Sequence, residues 1–121
     1  MTAYLFVTHP EISYPEEVKY EDATWSCSKT TEYGDQILVY LTGNVGICYE
    51  WRATSGAVSH PELKFACDVK FVPEFEPPIT IQELRAAVSR EEWAPPHDNF
   101  RSNRSIMIPD EVLEKILALR A

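Results

Sequence analysis

The side chains most able to hold a ligand gather around Trp25. A tryptophan flanked by Ser26, Cys27 and Ser28 sets a flat ring beside exposed backbone N–H groups, and these two features hold a planar guest such as a nucleobase. The same ring could equally plug one end of a sheet, because buried tryptophans serve packing before recognition. In this reading Trp25 is the stacking platform, and Ser26 and Cys27 are the groups that read a guest's edge. Tyr40 joins them as a pocket wall: it falls out of register with Ile37, Val39 and Leu41, so it faces either solvent or a cleft. Farther along, Asn99-Phe100-Arg101-Ser102-Asn103-Arg104 is polar and locally basic. It suits phosphate contact through Arg101, with Asn99 beside it, or else it is a solvated loop.

Catalysis and metal binding lack their usual constellations. Cys27, Cys48, Cys67, His60 and His97 show none of the close pair spacings of a zinc site, so no metal and no cofactor is expected. No histidine is placed to activate Cys27, which reads as an inert thiol, and the protein reads as a binding module rather than an enzyme.

The elements that must carry these residues follow from periodicity. Tyr4 to Thr8 is a β-rich run closed by His9-Pro10, and Ile37 to Leu41 with Val45 to Trp51 spells a hairpin around Gly43-Asn44. Trp51 alternates in phase with Val45, Ile47 and Tyr49 and reads as core. Glu11 to Ala23 reads as a loop, with Pro15 able to open a short helical turn over Glu16 to Lys19. Ser55 to Pro61 reads as a connection. Leu63 to Phe71 alternates strictly and is a strand. Thr80-Ile81-Gln82-Glu83 matches a capping box ahead of a helix from about Ile81 to Ser89. Trp93-Ala94-Pro95-Pro96 ends anything helical, Ser105 to Ile108 is a short strand, and a last helix starts at Pro109. About five strands and two or three helices make an α+β domain whose strands curl into a small, partly open barrel.

Length and charge set limits on function. A chain of 121 residues is a single domain able to bury its own core without staples. Three scattered cysteines and an opening stretch with no basic region before its short apolar run point to a reducing cytoplasm rather than secretion. No apolar run is long enough to cross a bilayer, so no membrane partner is expected. The net charge of -8 counts against a nucleic-acid partner, since such proteins carry a basic face that releases counterions from phosphate.

Taken together, Trp25 with Ser26-Cys27-Ser28, Gly34-Asp35 leading into Ile37 to Leu41, Gly46-Ile47, and Pro77-Pro78-Ile79 before the helix resemble the EVE domain. That family belongs to the PUA-like superfamily and is related to the YTH readers of methylated adenine, whose Trp-Cys-Ser-Thr turn is similar to Trp25 to Ser28. The resemblance implies a small PUA-like barrel that binds DNA or RNA and accepts a modified or flipped base in an aromatic pocket. One motif departs from the family: EVE domains often carry Gly-Val-Arg-Asn after the tryptophan, and Ser26-Cys27-Ser28-Lys29 stands there instead. The alternative reading is an acidic adaptor or small-molecule-binding domain using the same cleft. An acidic lining would favour that alternative.

Overall fold

The computed structural model describes residues 2–8, 23–43, 45–62, 64–72, 75, 77–98, 100 and 105–120, with the backbone alone at 23–26, 71, 98 and 105. The helical turn expected over Glu16 to Lys19 lies outside the described residues. The strands are β1 (Ala3–Thr8), β2 (Ala23–Ser26), β3 (Gln36–Leu41), β4 (Gly46–Ala53), β5 (Val58–His60), β6 (Lys64–Val72) and β7 (Ser105–Ile108). Helix α1 (Ile81–Ala87) and a 3-10 turn (Pro95–Asp98) come between β6 and β7, and α2 (Asp110–Ala118) follows. All seven strands share one sheet in the order β2-β6-β4-β3-β1-β7, with β5 also on β6. β1 and β3 run parallel while the other pairs are antiparallel. The sheet curls into a half-barrel, and the α+β class expected from the sequence is the one observed.

Two strands were not anticipated. Ala23–Ser26 was expected to end a loop and open a turn, yet it pairs with β6 from Ala23↔Val69 to Ser26↔Ala66. Val58–His60, expected as a connection, pairs with Lys64–Ala66. Both are short and weakly apolar, so their extended shape comes from the partner strand rather than from their own propensity. The residues Pro95–Asp98, expected to be irregular, wind into the 3-10 turn.

The core lies on both faces of the sheet. Leu5, Leu38, Tyr40 and Ile47 meet Leu84, Val88, Trp93 and Ile116 on the helix side. Tyr4, Ile37, Val39, Tyr49, Trp51 and Val69 fill the other side. Trp51 is buried, as its alternation predicts, and its ring stacks on Phe6 at 5.9 Å.

The predicted capping box opens α1: Glu83 N donates to Thr80 Oγ1 at 3.2 Å and Thr80 N donates to Glu83 Oε1 at 3.3 Å, so two orphan amides are satisfied. Arg120 then grips the same carboxylate, Nη2 to Oε1 at 2.7 Å and Nη1 to Oε2 at 2.8 Å, while its Nε donates to Pro77 O at 2.7 Å. The Arg120 hydrogen bonds, followed by the Thr80 amide, hold the Glu83 carboxyl at about 2 against an ordinary 4.5, with desolvation opposing them. A folded-state value below the unfolded one means that the unfolded chain takes up the proton first on acidification. The contribution is therefore complete above about pH 4.5 and is lost as the pH falls toward 2. With 34% of the Glu83 side chain exposed, solvent screens the pair, and we expect Glu83→Gln to flatten this acid limb by about 1 kcal/mol. Urea titrations of both proteins across that window measure it.

Candidate functional site

Four segments converge on a hollow of about 280 Å³: Val7 at the end of β1, Tyr40 with Thr42 and Gly43 after β3, Ile81, Gln82 and Arg85 of α1, and Phe100. Local backbone features fix each of them. The β3–β4 register shifts between Val39 and Tyr40, since Val39 faces Tyr49 but Tyr40 faces Ile47, and this bulge bends the ladder beside the hollow. Gly43 supplies the left-handed turn conformation (φ +81°), and Thr42 N donates to Thr8 O at 2.9 Å, tying the turn to β1.

On the helix side, Arg85 Nε donates to Pro96 O at 2.8 Å and Arg90 donates to His97 O at 3.1 Å. His97 Nε2 lies 2.7 Å from Val88 O. A carbonyl can only accept, so the ring proton sits on Nε2, and the contact satisfies a carbonyl left open at the helix end. These three contacts pin α1 to the 3-10 turn. Phe100 N in turn donates to Pro95 O at 3.0 Å, which anchors Phe100 to the same turn.

Among the described residues, the Arg85 guanidinium is the one charge lining the hollow, and no acid lines it. This local sign is opposite to the chain's net charge of -8. Burial raises the Tyr40 phenol above its ordinary range, with the Arg85 charge pulling part of the way back, so the hydroxyl stays a neutral donor at physiological pH. Its ring meets that of Phe100 at 4.7 Å with 50° between planes. The lining thus offers aromatic surface, an amide, hydroxyls and one fixed cation. It contains no pairing of nucleophile and base among the described residues.

Of the residues singled out in the sequence, Tyr40 lies in this hollow. Trp25 and Ser26 stand in β2 opposite Cys67 and Ala66, and their side chains lie outside the described residues, as do Asn99 and Arg101. Cys27 is buried in the other core layer, apart from Tyr40, and its amide donates to Phe65 O at 3.2 Å. That amide extends the ladder, which removes it from the groups able to read a guest. Ser28 Oγ lies 2.9 Å from Thr30 Oγ1, which meets Tyr4 Oη at 2.8 Å, so the hydroxyls of this turn are partnered within the protein.

No protein-family model matches the chain, and no curated protein matches it by sequence. Solved structures do match in shape. A protein from Pseudomonas putida superposes with a TM-score of 0.83 at 19% identity, covering 98% of this chain and 99% of that one. The DUF55 domain of human thymocyte nuclear protein 1 gives 0.74 at 15%, covering 98% of each chain. The human THYN1 protein in complex with DNA containing 5-methylcytosine gives 0.79 at 14%, covering 99% and 98%. The fold is that of the EVE and PUA-like domains.

Within this EVE-like fold, the sequence pointed to Tyr40 but not to Val7, Thr42, Ile81, Gln82 or Arg85. One signal was available: Ile81 and Arg85 are four residues apart, so both project from one face of α1. The convergence of that face with the β3–β4 turn is a tertiary fact with no local signature.

Proposed function

We propose that this protein is a non-enzymatic nucleic-acid-binding domain that takes a modified or flipped base into the hollow at Tyr40. The observation that carries the reading is the lining: among the described residues it holds two aromatic rings, an amide and an arginine, with no carboxylate, on a chain that is otherwise acidic. An acidic lining would repel phosphate and favour the adaptor or metabolite reading, and this lining has the opposite sign. The human neighbour of the same fold, solved with DNA containing 5-methylcytosine, supports the class of partner. In this reading Tyr40 is a wall of the pocket, Arg85 and Gln82 address the polar edge of the base, and Asn99 and Arg101 contact phosphate. Trp25, with Ser26 and Cys27 beside it, is retained as a second stacking position.

The test is fluorescence anisotropy with labelled DNA and RNA, each plain or carrying one methylated base. We expect a modified strand to bind more tightly than its plain counterpart. Gln82 is exposed and lines the hollow, so Gln82→Leu leaves the fold intact and should weaken binding about fivefold, the worth of one hydrogen bond. Trp25→Ala should weaken it by roughly 1–3 kcal/mol if a base stacks there. Indifference to Gln82→Leu would place the partner elsewhere on the surface. Failure of every oligonucleotide to bind would leave the adaptor reading, which the net charge supports.

A further inference from the structure

Among the described residues of the lining, Phe100 is the one with both a strained backbone and a ring laid against another aromatic. Its φ is +54°, a left-handed conformation that costs a bulky side chain energy and that helix ends usually give to glycine or asparagine. Its amide is nevertheless held to Pro95 O at 3.0 Å, so the backbone is placed by the 3-10 turn and not by the ring. The ring projects onto Tyr40 at 4.7 Å and 50°, in the range of a favourable aromatic pair. At that separation no third ring fits between the two, and Tyr40 retains only 5% of its surface. The hollow is open beside this pair, and on the side that Phe100 meets Tyr40 has no room for a planar guest.

We propose that the Phe100 ring is an internal stand-in for the guest: it occupies the face of Tyr40, and a nucleobase binds by displacing it. Phe100 is thereby the residue that sets the affinity of the hollow, because each base bound must first break one aromatic contact within the protein. This rests on the nucleobase reading above. It adds a sign that the reading alone does not give: removing an aromatic side chain from the pocket should strengthen binding.

The experiment measures nucleoside affinity by saturation-transfer NMR, using 5-methyl-2'-deoxycytidine and 2'-deoxyguanosine, for the parent, Phe100→Ala and Phe100→Leu. Thermal melts confirm that each variant is folded. Phe100→Ala should bind about threefold to tenfold more tightly than the parent, the worth of one aromatic pair. Phe100→Leu, which keeps apolar bulk but loses the flat face, should shift in the same direction. Weaker binding by both Phe100 variants would make Phe100 a wall of the site and overturn the proposal, and unchanged binding would overturn it as well. No binding by any of the three proteins would overturn the nucleobase reading itself, a result distinct from the other two.

Discussion

Gly46→Ala should cost the fold about 3 kcal/mol or more. Gly46 has φ +111°, a region that side chains rarely enter, and a Cβ added there would lie 2.3 Å from Ile79 O and 2.8 Å from Ile79 C. Both atoms are backbone, so no side chain can swing aside. The two segments cannot simply separate either, because Ile47 N donates to Ile79 O at 2.8 Å and Ile79 N to Ile47 O at 3.0 Å. Ile79 itself is fully buried. Left-handed strain of about 1–3 kcal/mol adds to overpacking of similar size. The damage should extend to the site, since the third atom met is Thr80 Cα at 3.2 Å and Thr80 caps α1, the helix that carries Arg85 and Gln82. Urea denaturation reads the stability loss. A variant as stable as the parent would show that the Ile47–Ile79 bridge can open without cost.

Trp93→Ala should be of similar size, about 3–5 kcal/mol, the usual result of removing a buried tryptophan. Trp93 is 6% exposed and packs into the helix-side core. Its Nε1 donates to Met107 O in β7 at 3.1 Å, satisfying a carbonyl of the strand that ends the sheet among the described residues. Glu92, next to it, accepts from Ser89 N at 3.2 Å, just past the end of α1, and pairs with Lys115 of α2. Trp93→Phe separates the two contributions, keeping most of the volume and losing about 1 kcal/mol with the hydrogen bond. Equal losses for both variants would assign the whole effect to the N–H rather than to packing.

These two positions also show what could be read from the sequence and what could not. The capping box at Thr80 was legible because both partners lie within four residues and the pattern carries its own geometry. The strand over Ser105–Ile108 and the helix after Pro109 were legible for the same local reasons, with Pro109 standing one position earlier, at the cap. The run Ile37 to Leu41 holds five consecutive apolar residues and is buried throughout. Read as a continuous run, it signals burial on both faces; read as an alternation, it left Tyr40 facing either solvent or a cleft. β2 and β5 were invisible because β6 imposes their shape, and β6 lies some forty residues from β2 in sequence. At the candidate site, Tyr40 stood out through its register, whereas Arg85 acquires meaning only when the 3-10 turn folds back against α1.

The place of β1 in the sheet has a consequence for biosynthesis. Its neighbours are β3 on one side and β7, which begins at Ser105, on the other. While the chain is being made, β1 can pair with β3 early but must wait until Ser105–Ile108 has left the ribosome before its outer amides and carbonyls find partners. During that interval an apolar strand stays open to any other extended segment, so truncated or stalled chains ending before Ser105 are the species most prone to aggregate.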